Sequence, residues 1–209
     1  ARGVAAKWCA EKGAGGSLSF WRGPAGVVGR QMAGRWNRPQ VCTLMGQDVL
    51  PQNRYLRRLK PEDAGRSVAL SPFHNTVLEK TCGLRAQTII PWGIPKGESA
   101  PTLSGARPVD VLGVGSLIPV KNWTRWLNVL KQAVKTYPDL KAELIGEGPE
   151  LSRLRKQAEA LGISRNLNFA GNLPRPEVLA RMRQSKLLLH TADFESFGYV
   201  FAEARAGGC

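Results

Sequence analysis

Two glutamates, Glu195 and Glu203, stand on either side of a Phe-Gly pair in the stretch FESFGYVFAE, residues 194–203. A carboxylate accepts hydrogen bonds from two hydroxyls at once, and a sugar ring carries its hydroxyls in adjacent pairs. The first N–H groups of a helix, together with its dipole, attract anions such as phosphates. One hypothesis is therefore that the stretch binds a ribose, a second sugar and the phosphates that join them.

A helix that begins near Phe197 would direct the backbone N–H groups of Phe197, Gly198 and Tyr199 towards such a ligand, with Glu203 about two turns further along. A simpler interpretation makes Glu195 a partner of the helix dipole and Glu203 a solvated surface residue. From the residues alone, the simpler interpretation is the favoured one.

The elements that must position these residues alternate along the second half of the chain. Trp126, Leu127, Leu130 and Val134 recur at the three-to-four spacing of an apolar helix face. Short apolar strands that alternate with helices predict a parallel sheet covered on both faces. The predicted strands are 109–115, 141–146, 166–170 and 186–190, and the predicted helices are 122–137, 149–162, 175–185 and 197–208.

The first half repeats this pattern less clearly. A stretch rich in Pro, Gly and Ser separates the halves and has the composition of a linker. We therefore predict an α/β fold with two domains, residues 1–91 and 109–209, joined by a hinge at residues 92–108. The predicted strands of the first half are 17–20, 40–44, 67–71 and 87–91, and its predicted helices are 26–36, 52–59 and 73–83.

Ligands of open parallel sheets bind beyond the carboxyl ends of the strands, so the loops at those ends are candidate sites. In the first such loop, Gly113 and Gly115 permit close approach of the backbone, and Lys121 precedes a helix. This combination can hold a diphosphate, although the GVG sequence lacks the third glycine of a dinucleotide fingerprint. Asn122 is explained equally well as the N-cap of the next helix.

The charge of the chain limits the classes of partner. The 30 Lys and Arg residues and 16 Asp and Glu residues give a net charge of +14, and residues 1–107 hold 16 basic and 6 acidic residues. This surplus fits either an ordinary basic, solvated surface or an anionic membrane as partner. A nucleic-acid partner is not expected, because the basic residues are not interleaved with the aromatic residues of a stacking surface.

Neither a disulfide framework nor a metal site is predicted. The cysteines Cys9, Cys42, Cys82 and Cys209 are scattered without a Cys-x-x-Cys pair. Reduced thiols and a cytoplasmic location are the default for such a chain. We expect His190, at the end of a predicted strand, to be a packed and hydrogen-bonded residue. No apolar run approaches the roughly 20 residues of a membrane span.

Long stretches of the second half resemble the donor domain of the retaining glycosyltransferases of family 4, also called group 1, which adopt the GT-B fold. The likeness runs through GVGSLIPVKNW, YPDLKAELIGEGPELSRLRKQAEALGISRNLNFAGNLPRPEVL and LLLHTADFESFGYVFAEARAGG, and the two glutamates that frame Phe-Gly are the family's signature. TLMGQD, VALSPFHNTVLEKTCG and TIIPWGIP resemble the later part of the acceptor domain. Nothing resembles the family's first strands or closing helices, so we expect a fragment truncated at both ends.

The resemblance implies two Rossmann-like domains, each a mostly parallel sheet flanked by helices. Residues 1–91 would be the later part of the acceptor-side domain, and residues 109–209 would be the donor domain without its C-terminal end. The implied reaction moves a hexose-type sugar from a nucleotide-diphosphate sugar to an acceptor hydroxyl. It proceeds with retention of the anomeric configuration and requires neither a metal nor another cofactor.

The resemblance also implies roles for individual residues. Glu195 would face the transferred sugar and Lys121 would supply charge to the diphosphate, which makes these two the catalytic residues. The remaining implied donor contacts are Glu203 at the ribose, Phe197, Gly198 and Tyr199 at the helix start, Gly115 and Ser116 in the first loop, and Gly171 and Asn172 near the base.

Two positions depart from the family pattern. Ser116 stands where members commonly carry an arginine, and Met45-Gly46 stands where many have His-Gly. These departures leave open a catalytically silent module that binds a nucleotide sugar or another anion. For the acceptor, the basic first half suggests a lipid-linked or surface-glycan precursor, with the protein peripheral on the inner face of the membrane.

Overall fold

The computed structural model describes residue 13, residues 15–95 and residues 105–209. The chain divides into two compact units, Ala1–Trp92 and Gly93–Cys209. Each unit contains a four-stranded sheet flanked by helices. Of the predicted hinge, residues 96–104 lie outside the described part, as does Cys9. Within the described ranges, no helix combines the length and the apolar character that crossing a membrane requires.

In the first unit the strands follow one another in the order β1-β2-β3-β4, and neighbouring strands are parallel. Proline opens each α-helix described in this unit, a position where the missing N–H removes no helical hydrogen bond. The strands are β1 (Ser17–Phe20), β2 (Gln40–Thr43), β3 (Ser67–Ala69) and β4 (Thr88–Ile89), and the helices are α1 (Pro24–Arg35), α2 (Pro61–Ala64) and α3 (Pro72–Cys82).

The helix predicted for residues 52–59 is wrong, and a short 3₁₀ helix, Leu56–Arg58, takes its place. The cause is Asn53, whose side-chain amide donates to the backbone oxygens of Asp48 and Arg22 at 2.8 and 2.9 Å. Its side-chain oxygen accepts from a backbone N–H two residues further along. An asparagine that bonds to nearby backbone in this way favours a turn over a helix.

A buried histidine supports the loop at Gly46. His74, in the first turn of α3, is fully buried, and its Nδ1 accepts from the Leu70 N–H at 3.4 Å. Its Nε2 lies 3.1 Å from the Gly46 carbonyl oxygen, to which it donates. Burial lowers the pKa of His74, so the ring is neutral. An imidazole therefore lies beneath this loop, next to the Met45-Gly46 pair.

In the second unit, all neighbouring strands are again parallel, in the order β7-β6-β5-β8. The elements predicted from residue 109 onwards are all present, with ends that differ by a few residues. The strands are β5 (Val109–Val114), β6 (Ala142–Ile145), β7 (Leu167–Gly171) and β8 (Ser185–Leu188), and the helices are α4 (Trp123–Thr136), α5 (Leu151–Ala160), α6 (Arg175–Arg183) and α7 (Tyr199–Ala206).

The apolar residues of β5 and β6 alternate between the two faces of this sheet. Val111 and Leu144 pack with Trp126 and other residues of α4 and α5. Leu112 and Ile145 pack on the opposite side with residues of α6 and α7. Because helices bury both faces, the strands are almost continuously apolar, and a polar ligand can approach this sheet at the strand ends.

Gly113, predicted to allow a ligand close to the backbone, instead allows close packing inside the core. An added Cβ would lie 2.9 Å from Leu144 Cδ1 and 3.0 Å from ring atoms of both Trp123 and Trp126. The two tryptophan rings meet edge-on, with centroids 6.0 Å apart. A side chain at this position would have to displace them.

We expect Gly113→Ala to lower the free energy of unfolding by about 1–3 kcal/mol, the usual cost of overpacking a core. The measurement is urea unfolding followed by tryptophan fluorescence. Gly34→Ala is the matched control, because a Cβ there meets nothing within 4 Å. Within helix α1 that change should raise the stability by about 0.5–1 kcal/mol. Similar effects of the two substitutions would contradict the packing described for Gly113.

Candidate functional site

The strand order of the second unit reverses at β5. From β5 the sheet adds β6 and then β7 on one side, whereas β8 pairs with the other side of β5. In open α/β sheets, ligands bind in the crevice beyond the carboxyl ends of the strands at such a reversal. The loops that follow β5 and β8, residues 115–122 and 189–198, flank this crevice.

The loop after β5 is fixed by the loop after β6. The Gly115 N–H donates to the Ile145 oxygen at 3.0 Å, and the Leu117 N–H donates to the Glu147 oxygen at 2.8 Å. Gly146 has a φ of +143°, and an added Cβ would lie 2.0 Å from the Gly115 carbonyl oxygen. Only glycine permits this approach, so the two loops form one rigid rim.

The predicted N-cap at Asn122 is confirmed, and this residue also reaches the loop after β8. Its Oδ1 accepts from the Arg125 N–H at 3.2 Å, and its Nδ2 donates to Asp193 Oδ1 at 2.9 Å. Arg125 Nη1 lies 3.1 Å from the same Asp193 oxygen. The Asp193 N–H donates to the Val120 oxygen at 2.9 Å. The loops after β5 and β8 are therefore tied together beside the crevice.

Lys121 and Glu195 form an ion pair between these two loops. The distance from Lys121 Nζ to Glu195 Oε2 is 2.7 Å, and the side chains are 21% and 28% exposed, so a ligand can reach them. Of the packed and hydrogen-bonded state expected for His190, the packing is confirmed, with its ring edge-on to Phe201 at 4.8 Å between centroids, and the hydrogen bond is not found at its Nε2 in the described part of the chain. Its Nε2 lies 3.5 Å from Glu195 Oε2 and has no hydrogen bond of normal geometry among the described residues.

These neighbours keep the Glu195 carboxyl group ionised. The His190 imidazole and the Lys121 ammonium lower the pKa of Glu195 from 4.5 to about 2, against burial, which acts to raise it. Of the two, geometry makes Lys121 the stronger contact, because its bond measures 2.7 Å and the His190 nitrogen stands at 3.5 Å. Glu195 is thus a permanently charged hydrogen-bond acceptor at neutral pH.

Helix α7 begins at Tyr199, two residues later than the sequence predicts, with Gly198 as its N-cap. Gly198 has a φ of +77°, which glycine adopts without strain. An added Cβ would lie 2.4 Å from Phe201 Cδ2 and 3.4 Å from Glu195 Cγ. Phe197 precedes the cap, and its ring lies 6.4 Å from that of Tyr199. Glu195 therefore lies directly against the residue that opens the helix.

Glu203, inside α7, pairs with Arg175 at the start of α6. Arg175 Nε and Nη2 donate to Glu203 Oε1 at 3.0 and 2.8 Å, and the glutamate side chain is only 11% exposed. The same guanidinium lies 5.6 Å from the centroid of the Tyr199 ring and 3.3 Å from its hydroxyl. Arg175 therefore joins Glu203 to the first turn of α7.

Gly115 and Ser116, which the sequence predicts as donor contacts in the loop after β5, have different surroundings. An added Cβ on Gly115 would stand 3.9 Å from Lys121 Cε, so this glycine borders the ion pair. Ser116 is exposed, and its carbonyl oxygen accepts from the Trp123 indole at 2.9 Å. That bond fixes the backbone of Ser116 and leaves its hydroxyl at the surface.

Gly171 and Asn172 lie at the carboxyl end of β7. The Gly171 oxygen accepts from the Gly146 N–H at 2.8 Å, and Asn172 is exposed. Lys121 and Glu195 thus form one group by their ion pair, with Gly198 and Gly115 beside it. Glu203 and Tyr199 form a second group through Arg175, and Ser116, Gly171 and Asn172 lie on neighbouring loops.

Arg175 is the residue of this region that the sequence reasoning missed. A cation in the first turn of a helix opposes the helix dipole, so an arginine there is expected to have an acidic partner elsewhere. This electrostatic conflict is the signal that could have identified it. The partner itself, Glu203, is 28 residues away in sequence and is found only once α6 and α7 pack together.

The profile of the protein family described as "Glycosyl transferases group 1" matches residues 98–209. Among curated proteins, the chain is similar to the uncharacterized glycosyltransferase YqgM of Bacillus subtilis (strain 168), with 26% identity over 172 residues. That match covers 82% of this chain and 47% of the relative. The chain spans about half, or less, of the length of the curated relatives it matches.

Solved structures resemble the whole described fold. The sucrose-phosphate synthase of Thermosynechococcus elongatus has a TM-score of 0.81 at 16% identity, over 99% of this chain and 57% of that one. A variant of S. aureus TarM, solved in complex with Fondaparinux, alpha-GlcNAc-glycerol and UDP, has a TM-score of 0.78 at 14% identity, over 99% and 43%. These likenesses confirm the predicted α/β fold with two Rossmann-like, mostly parallel sheets of the GT-B type.

Glu195 should make the stability of the folded state depend on pH. Because its pKa is lowered from 4.5 to about 2, its contribution is fully present above pH 4.5 and is lost as the pH falls towards 2. The shift sets an upper limit of about 3 kcal/mol on that contribution. In urea unfolding, the stability difference between wild type and Glu195→Gln should be largest near neutral pH and should shrink in acid.

Glu159→Gln is the control for this measurement. Glu159 is an exposed residue of α5 outside the site, so its replacement should leave the acid dependence of the wild type intact. If the unfolding free energies of wild type and Glu195→Gln differed by a constant amount throughout the acid range, the result would contradict the ion pair.

Proposed function

This chain belongs to the group 1 glycosyl transferases, and we propose that its second unit binds a nucleotide-diphosphate sugar for transfer of the sugar to an acceptor hydroxyl. The observation that carries the proposal is the 2.7 Å pair of Lys121 and Glu195 beside the start of α7. It brings a cation, a carboxylate and backbone N–H donors to the strand reversal where parallel sheets bind ligands. A diphosphate that links two sugars requires these three kinds of group.

Lys121 and the start of α7 receive the diphosphate. An ammonium group has three N–H donors, so Lys121 can keep Glu195 on one of them and bind phosphate oxygens with the others. Backbone groups at Phe197, Gly198 and Tyr199 contribute N–H donors and the positive end of the helix dipole. Negative charge grows on the diphosphate as its bond to the sugar breaks. Donors that are already fixed near that charge lower the barrier most effectively.

Glu195 faces the sugar that is transferred. Its low pKa keeps it charged, so it accepts hydrogen bonds from sugar hydroxyls and stabilises positive charge that develops on the ring as the diphosphate departs. Retention of the anomeric configuration is part of this proposal and is supported by the resemblance of the Glu195 to Glu203 signature to the retaining family 4 enzymes.

Glu203 accepts the hydroxyl pair of the ribose. Both of the described bonds from Arg175 to Glu203 fall on Oε1, so the lone pairs of Oε2 can accept hydrogen bonds from a ligand. The main chain at Gly171 and Asn172 contacts the base, and Gly115 and Ser116 line the first loop. S. aureus TarM was solved with UDP, a nucleotide diphosphate of the proposed class, which supports this type of ligand.

Glu203→Ala should weaken donor binding, because hydrogen bonds to a charged group contribute about 1.5–3 kcal/mol, or roughly 10- to 100-fold in Kd. The measurement is calorimetric titration of the full chain with UDP-glucose, UDP-GlcNAc and GDP-mannose. The titrations are run in EDTA, because Lys121 and the helix start supply the positive charge and we expect binding without a divalent cation. Glu159→Ala is the control and should bind like the wild type.

Glu195→Ala should change the Kd for the donor little and should lower turnover, because its contacts strengthen mainly as the sugar leaves. Turnover is measured as release of the nucleotide diphosphate in the presence of a panel of acceptors. Equal, small effects of Glu195→Ala and Glu203→Ala would contradict the roles assigned here. A requirement for added Mg²⁺ would contradict the role of Lys121.

A second candidate is a module that binds a nucleotide sugar without transferring it. Ser116 favours this alternative, because an exposed hydroxyl cannot supply the charge of the arginine that family members commonly carry there. The same assays separate the two functions. Donor binding without release of the nucleotide diphosphate over the whole acceptor panel would favour the silent module.

We further propose a lipid-linked or surface-glycan precursor as acceptor and a cytoplasmic protein that is peripheral on the membrane. The support is the 16 basic residues against 6 acidic residues in residues 1–107, since an anionic leaflet attracts such a surface. The chain should co-sediment with vesicles of phosphatidylglycerol in preference to phosphatidylcholine. Equal co-sedimentation with both would refute the membrane contact.

A further inference from the structure

A cavity in the first unit is lined by basic and neutral residues. Its volume is about 260 Å³. Helix α1 contributes residues at positions three and four apart, which lie on one face of a helix, and the 3₁₀ helix contributes one arginine. The lining residues are Arg22, Val27, Arg30, Gln31, Gly34 and Arg58.

Arg22 is the buried member of this set, with a side chain only 2% exposed. Its guanidinium makes two long contacts, each 3.5 Å, to Asp63 Oδ2 and to the Arg58 carbonyl oxygen. Its Nε is buried and has no hydrogen-bond partner among the described residues. A buried charge and a buried donor satisfied so poorly are unfavourable unless another anion compensates them.

Asp63 is already shared among several donors. Its Oδ2 lies 2.9 Å from Arg30 Nη1, 3.2 Å from the Lys60 backbone nitrogen and 3.5 Å from Arg22 Nη2. Glu62, 3.5 Å from Arg30, is 59% exposed, and water and salt screen its charge. Asp48 is a second buried carboxylate near Arg22, since its Oδ2 accepts from the Arg22 backbone N–H. The three arginines that line the cavity therefore exceed the two buried carboxylates near it by one positive charge.

We propose that this cavity binds a phosphate group, carried either by a soluble phosphate ester or by a lipid headgroup. A guanidinium presents a planar fork of N–H donors that matches phosphate oxygens, and it stays charged at every pH at which the protein folds. Arg22, Arg30 and Arg58 all line this one small volume, and Gln31 adds an amide. The nucleotide-binding loops belong to the second unit, so this is an additional site.

The chemistry of the site bears on the acceptor. If the first unit receives the acceptor, which rests on the function proposed above, the cavity selects acceptors that carry a phosphate. Phosphate binding itself does not depend on that function, since it follows from the charge of the three arginines and the burial of Arg22. The two claims can therefore be tested separately.

The test is calorimetric titration of the full chain with glycerol 3-phosphate and with inorganic phosphate, at constant ionic strength and without nucleotide sugar. Arg58→Gln should weaken binding by about tenfold or more, the effect of losing a charged hydrogen bond. Gly34→Leu should abolish binding by filling the cavity. A Cβ at Gly34 meets nothing within 4 Å, and leucine favours a helix more than glycine does, so this variant should fold.

Arg35→Gln is the matched control. Arg35 is an exposed arginine of the same helix and does not line the cavity, so its replacement removes the same charge and should leave binding unchanged. Equal binding by the wild type and all three variants would overturn the proposal, as would no wild-type binding at ligand concentrations of about 10 mM. Loss in Arg58→Gln with full binding in Gly34→Leu would also overturn it, because the phosphate would then lie outside the cavity.

Vesicles of phosphatidic acid distinguish the two sources of the phosphate. If the ligand is a lipid headgroup, these vesicles bind the wild type, compete with glycerol 3-phosphate and bind Gly34→Leu more weakly. If it is a soluble ester, glycerol 3-phosphate binds without competition from the vesicles. Because the assay contains no sugar donor, absence of phosphate binding would contradict the cavity proposal and not the donor site. An unaltered donor Kd in Glu203→Ala would contradict the donor site and not the cavity proposal.

Discussion

The ion pair of Lys121 and Glu195 is the contact on which the candidate site depends, and the order of the strands makes it possible. The residues are 74 apart in sequence and meet at 2.7 Å because β8 returns to the free side of β5. Asn122 and Asp193 then hold the two loops at a fixed separation. A sheet that continued on the β7 side would place Glu195 several strands away from Lys121. The strand order therefore determines where the candidate site lies, and the side chains form their contacts within that arrangement.

The same pairing resolves an electrostatic conflict in this region. Carboxylates next to a helix start repel the phosphates that the helix start attracts. Here each glutamate of the signature has a cation beside it, Lys121 for Glu195 and Arg175 for Glu203. The glutamates keep their capacity to accept hydroxyl hydrogen bonds while their net charge is balanced. This charge balance is what the proposed donor, two sugars joined by a diphosphate, would require of a region with two acids.

Periodicity predicted the elements of the second unit because its strands are apolar on both faces and its helices bury one clear face, as Trp126 does in α4. It failed at residues 52–59, where the side chain of Asn53 bonds to the backbone of Asp48 and Arg22 in place of a helical arrangement. It also began α7 too early, because a glycine such as Gly198 can continue a helix or cap it in the left-handed conformation. The sequence pattern cannot distinguish these two conformations of glycine.

The candidate site, like the fold, could be predicted only in part from the sequence. The signature and its glycines lie on loops that the structure brings together, since loops at strand ends follow from the alternation of strands and helices. The partners of Glu203 and Glu195 were not predictable, because Arg175 and His190 reach them only through the packing of α6, α7 and β8. Long-range pairing of this kind depends on sheet order, which local sequence does not encode.

Two arginines in different surroundings show that the contacts of a charged group matter more than the presence of the charge. Arg175 stands at the surface with two bonds to one carboxylate and an aromatic ring below, so it positions Glu203 and adds little free energy. Arg22 is buried with two contacts of 3.5 Å and an unpaired Nε. Burial of a charge with such weak contacts is unfavourable, and a bound anion would compensate it. Arg175 therefore completes a group within the protein, whereas Arg22 is the observation behind the proposed phosphate site.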